Sequence, residues 1–152
     1  MRFRGQKRRI QSTTIKAHTM SDSSKLGKLG EDLAAQYLLK NNYRILHRNW
    51  GLHHGYEIDI IATNGIDIIF IEVKTRRSDV FQKPEEAVNE NKIKRICMAA
   101  HGYVRKYNIN MPYRFDIIAI VYPNSEGYTI KHIKNAFKYP LYTNRLRYKK
   151  WF

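Results

Sequence analysis

Two carboxylates and an amine interrupt stretches of this 152-residue chain that otherwise read as buried strands: Asp59 in YEIDIIAT, and Glu72 and Lys74 in IFIEVKTRR. A structural ion pair would explain an acid and an amine two residues apart, and so would a catalytic centre. Between the two stretches lies Asn64-Gly65, a strong signal for a two-residue hairpin loop. Such a loop pairs Thr63 with Ile66, and counting outward sets Asp59 opposite Phe70 and Glu57 opposite Glu72. Opposed residues, and residues two apart on one strand, share a face. Asp59, Glu72 and Lys74 therefore converge, with Asp59 and Glu72 as diagonal neighbours. Two carboxylates ~5 Å apart repel by about 3 kcal/mol at an effective dielectric near 20. A positive charge has to offset that. Lys74 supplies one, and a magnesium ion is the other candidate, because it takes a few carboxylate oxygens and keeps waters and phosphate oxygens in its remaining positions.

The first helical stretch carries a third acid. On a helical wheel Glu31 lies with Gly27, Ala34, Ala35 and Leu38, a small and apolar face, whereas Asp32 lies with Lys28 and Gln36. Glu31 is expected to face inward unless it caps or pairs locally. The glycines of GKLGE cost helix propensity, which close approach of this turn to a sheet or ligand would offset. Lys92 falls on the same helical face as Val88, Ile96, Ala99 and Tyr103. An amine there either reaches the site or a phosphate, or snorkels to solvent. Arg76 and Arg77, just past the strand end, are placed for phosphates or for water. His53 and His54 sit in a turn, exposed or available to an anion. Asp116 in RFDIIAI shares a strand face with Arg114, and a structural pair is expected.

The elements that must position these groups follow from periodicity. A helix starts at Asp22, with Asp22 or Ser23 as cap and Leu26, Leu29, Leu33 and Tyr37 at helical spacing. A short strand at 43–48 precedes the hairpin. PEEAVNENKIKRICMAAHGYVRKYN opens a second helix at Pro84, with acids in its first turn. Strands around 113–122 and 128–133 follow. The order helix, three strands, helix, two strands predicts one α/β domain with a mixed sheet flanked by helices. It divides into a basic tail (1–22), a central domain (23–137) and a basic aromatic extension (138–152).

Charge points to the partner. The chain has 28 Lys and Arg against 13 Asp and Glu, a formal charge of +15 and a pI near 10.0. A polyanion such as nucleic acid fits that balance, since each amine or guanidinium near a phosphate releases counterions. A solvated basic surface is the alternative. The first twenty residues hold six of the basic residues and no acid, which suits a tail, an upstream extension with Met20 as a second start, or a transit peptide. In the last fifteen, Lys138, Arg145, Arg147, Lys149 and Lys150 alternate with Tyr139, Tyr142, Tyr148, Trp151 and Phe152. These rings can stack on unpaired bases or pack on the domain or a second copy. No run is long and apolar enough for a membrane span. The single cysteine, Cys97, excludes an internal disulfide and a cysteine-based zinc site, so a reducing, cytoplasmic setting is expected.

Taken in order, G-x-x-GE on a first helix, YEIDII, EVKTR, P-E-E-A-V, RFDIIAI and HIKNAF resemble the YraN family of small bacterial proteins. That family is similar to archaeal Holliday-junction resolvases and to the PD-(D/E)XK nuclease superfamily. The resemblance covers about Lys25 to Phe137 and implies a restriction-endonuclease-like α/β fold. It implies that Asp59, Glu72 and the Val73 carbonyl ligate Mg2+ or Mn2+, with Glu31 completing the acidic set by holding a second metal or a metal-bound water. It further implies that Lys74 orients or deprotonates the attacking water, that Glu57 supports, and that cleavage leaves a 5′ phosphate. Position 56 departs from the family pattern, with Tyr where Gly is common.

The function expected on this basis is metal-dependent endonucleolytic cleavage of DNA, branched or flapped by kinship with resolvases. Resolving a junction takes two nicks, so a homodimer goes with that substrate. A non-catalytic nucleic-acid-binding module that kept the fold is the rival reading. Nothing in the residues themselves separates DNA from RNA.

Overall fold

In the computed structural model, which describes residues 21–52, 55–77, 88–122 and 127–138, the chain runs α1 (Asp22–Lys40), β1 (Arg44–Leu52), β2 (Tyr56–Thr63), β3 (Ile68–Arg76), α2 (Glu90–Lys106), β4 (Tyr113–Val121) and β5 (Thr129–Phe137). The strands form one sheet in sequence order. β3 and β4 are parallel, joined by α2, and the other neighbours are antiparallel. The mixed sheet flanked by helices is the expected class. Residues 1–20 of the basic tail, His53-His54, Pro84 to Glu86 and residues 139–152 of the aromatic extension lie outside the described residues.

Each helix covers one face. Ile60, Ala62, Ile69, Ile71, Ile118 and Ile120 pack under Ala34, Ala35 and Leu38 of α1, while Ile61, Ile68, Phe70, Phe115 and Ile117 pack under Ile96, Ala99, Ala100 and Tyr103 of α2. Alternation along β3 thus serves both layers. Burying each such isoleucine contributes about 1.5 to 3 kcal/mol, enough for the sheet to hold a few polar groups. Cys97 lies in the α2-side core, and burial pushes its thiol up to about 11.

The first helix starts at Asp22 as expected, but the caps of both helices differ from expectation. The α1 cap is Ser21, whose hydroxyl accepts the Ser24 N–H at 3.3 Å, so Asp22 enters the first turn. Its buried residues are Gly30, Ala34, Ala35 and Leu38, whereas Leu29 is exposed and Leu33 and Tyr37 are half-buried. Small residues prevail because the helix lies close: a Cβ on Gly30 would come within 1.7 Å of Thr75 Oγ1. For α2, Asn89 accepts the Lys92 N–H at 2.9 Å and caps the helix that begins at Glu90.

The hairpin register also differs. Thr63 pairs with Ile68 and Ile60 with Ile71, so the loop is the four residues Asn64 to Asp67. Asn64 Oδ1 accepts the N–H groups of Ile66 (2.9 Å) and Asp67 (2.7 Å), and Thr63 Oγ1 donates to the Asp67 carbonyl (2.8 Å). These side-chain bonds favour a wider turn over the two-residue one. The slip is by two residues, so every side chain in the paired stretch, 60–63 and 68–71, keeps its expected face.

On the α1 side, Asp116 is fully buried and accepts from Arg114 Nε (3.0 Å) and the Asn135 N–H (2.9 Å), with His132 Nε2 at 2.9 Å. Arg114 also donates to Asp67 (2.8 Å). The expected Arg114–Asp116 pair is thus part of a larger network joining β4, β5 and the hairpin loop. Desolvation opposes ionisation of Asp116, yet His132, Arg114 and the Asn135 amide together hold its carboxyl below the usual range.

Candidate active site

The site forms where β2 and β3 part. Their pairing ends at Ile60–Ile71, and beyond that point β1 and β2 twist together so that their side chains change face. Arg48 stands opposite Ile60, and Trp50 opposite Ile58. Residues two apart normally share a face, but Arg48 and Ile60 belong to the α1 side and Trp50 and Ile58 to the α2 side. The change occurs at Asn49, which has φ 49°, and at Asp59 across from it. Asp59 is thereby aimed within the sheet toward β3, and its Oδ2 accepts the Val73 N–H at 2.7 Å. Sequence periodicity carries no trace of this turn.

Glu72 is 2 % exposed, on the α2 face of β3. Its Oε1 receives Lys74 Nζ at 2.6 Å and lies 3.1 Å from Lys92 Nζ, while its Oε2 is buried without a hydrogen-bond partner. Asp59 is pushed up to about 7, first by burial and then by the charge of Glu72, with Glu31 adding to the rise; the Val73 amide and Lys92 act the other way. Asp59 thus feels the charges of Glu72, Glu31 and Lys92. Glu31 sits at the rim, half-buried, with Oε2 3.8 Å from Arg48 Nη2, whose stronger partner is Asp32 at 2.7 Å. An open depression beside it is lined by Ser24, Gly27, Lys28, Glu31, Asp32, Arg48 and Asn49.

Asp59, Glu72, Lys74 and Lys92 are therefore brought together, with Glu31 at their edge. Glu57 is not opposite Glu72: it pairs with Gly51 of β1 and is exposed, because the hairpin slips and the strands part before reaching it. Arg76 closes β3, its carbonyl accepting the Tyr122 N–H at 2.9 Å, and Arg77 is exposed just beyond. Sequence reasoning misses Arg48; the available signal is a strand arginine with two adjacent helix acids, Glu31 and Asp32, in need of a cation.

Among the described residues no three His, Cys, Asp or Glu side chains are arranged as a ready-made metal cage. The chemistry of the donors nevertheless suits a hard cation. A buried carboxylate oxygen without a partner, beside a carboxyl whose ionisation is opposed by burial and by neighbouring acids, offers hard oxygen donors of the kind a dication takes, although Lys74 and Lys92 already offset the charge.

The family model described as "Uncharacterised protein family UPF0102" matches residues 30–120. UPF0102 proteins of Parabacteroides distasonis and Bacteroides thetaiotaomicron are 46% and 44% identical, over 80% and 81% of this chain and 98% and 100% of their own. The Flavobacterium johnsoniae relative is 40% identical over 78% of this chain and 98% of its own. Among solved structures, Hjc, a Holliday junction resolvase of Archaeoglobus fulgidus, matches with TM-score 0.39 and 14% identity over 71% of this chain and 81% of its own. With a model match across most of its described elements and relatives of this similarity along nearly their whole length, the chain belongs to the UPF0102 (YraN) family.

Proposed function

We propose that the protein is a metal-dependent phosphodiesterase that nicks nucleic acid, with DNA as the favoured substrate. The observation that carries this reading is the unpartnered, buried Glu72 Oε2 beside Asp59, whose carboxyl is raised to about 7. The ion-paired Asp116 of the same sheet has neither feature. Asp59, Glu72, the Val73 carbonyl and Glu31 would hold Mg2+ or Mn2+. When bound, the ion supplies Lewis-acid polarisation of the phosphodiester and a more acidic water.

The chain's own groups do the rest. Lys74, held on Glu72 and one-third exposed, stands between the buried acid and solvent. There it can orient an attacking water and donate to phosphate oxygens as charge builds on them. Arg76, Arg77 and the basic surface attract the backbone. DNA rather than RNA rests on the motif resemblance alone. Incubating labelled duplex, flap, junction and single-stranded DNA, and RNA, with Mn2+ tests the activity. Lys74→Ala should abolish nicking while DNA binding survives, and unchanged nicking in that variant removes the assignment.

A non-catalytic binding module is the second reading, favoured by the fact that Lys74, Lys92 and Arg48 already offset the acids. Titration calorimetry separates the two: a binder gives no heat with Mg2+ and no cleavage of any substrate.

A further inference from the structure

The two lysines on Glu72 are not equivalent. Lys74 comes from the same strand, two residues on. Lys92 arrives from α2, and its charge acts on Asp59 as well as on Glu72. It thus serves both acids, where a dication would also have to act.

Its position is otherwise unfavourable. The Lys92 N–H is the one that Asn89 caps, so the residue lies in the first turn of α2, beside the positive end of the helix dipole, where a cation is disfavoured. Helix formation gives no reason for a lysine there, and the acids do. Two ammonium groups crowd Glu72 Oε1 while Oε2 has no partner, so the pair is balanced in charge but not satisfied in hydrogen bonds.

Resting on the metal-dependent reading, we propose that Lys92 is a placeholder cation: it balances Asp59 and Glu72 in the metal-free protein, leaves Glu72 when a dication binds, and so sets the affinity of the site for metal. Lys92 acts on both acids, whereas Lys74 is held on Glu72 alone, so a dication placed between Asp59 and Glu72 is opposed chiefly by the Lys92 ammonium. The flexible lysine stem, one-third exposed, lets the charge swing outward at low cost.

Calorimetric titration of the full chain with Mn2+ tests this without any turnover. Lys92→Met should bind Mn2+ about tenfold more tightly than the wild type, because a competing charge is gone, and Lys92→Arg should return the affinity toward the wild-type value. Lys92→Gln repeats the comparison should the methionine variant misfold. Equal or weaker binding in both neutral variants overturns the placeholder while leaving the metal reading standing. Absence of Mn2+ binding in wild type and variants alike removes both. Asp59→Asn should abolish the heat in each background; heat that survives it belongs to another site and overturns the proposal.

Discussion

The placement of Asp59 costs the metal-free fold stability. Its carboxyl is raised from 3.8 to about 7 by burial, Glu72 and Glu31, so between those values the folded state holds a proton that the unfolded state has lost. Stability therefore falls as pH rises from about 4 to 7 and stays low above. Asp59→Asn should stabilise the metal-free protein at pH 8 by about 1 to 3 kcal/mol and flatten the pH dependence across that window. Thermal unfolding in EDTA at several pH values measures it. A variant melting at or below the wild-type temperature at pH 8 would show that the carboxylate is not strained there. Asp116 makes the contrast: also buried, it has donors on both carboxylate oxygens, so it stiffens the sheet instead.

The placement of α1 depends on one contact. Gly30 lies against Thr75, one residue after Lys74, and no larger residue fits without movement. Gly30→Ala gains helix propensity yet should lose about 1 to 3 kcal/mol to overpacking, and Glu31 next to it should shift from the rim. Thr75→Ala in the same chain should restore part of the loss, a coupling that a double-mutant cycle in urea reads directly. Additive effects would mean that the helix docks elsewhere. The β1–β2 pair has a comparable dependence on Asn49, whose left-handed conformation accompanies the change of face that aims Asp59 at Val73.

The molecule as a whole carries +15, and no helix among its described residues is long and apolar enough to cross a membrane. If the charge serves a polyanion, DNA affinity should fall linearly on a logarithmic salt axis, with a slope near 0.9 per phosphate contact. Arg77→Ala should weaken binding to all sequences alike and reduce that slope by about one contact. Fluorescence anisotropy over a salt series measures both, and a salt-independent affinity would reduce the charge to a solubility device.

Much of this was legible in the residues. Apolar alternation and the Asn-Gly turn placed Asp59, Glu72 and Lys74 at the same end of one hairpin, and Glu72 and Lys74 kept their face despite the longer loop because the side-chain period is two and the slip was two. The small residues of α1 foretold a close approach. What only the tertiary structure decided are relations between elements distant in sequence: Asp59 aimed within the sheet, Arg48 on Glu31 and Asp32, and Lys92 reaching Glu72 from the helix packed on its face. Periodicity reports which face of its own element a residue occupies. It says nothing of how two elements cross, and a charge takes its partner, and its acidity, from that crossing.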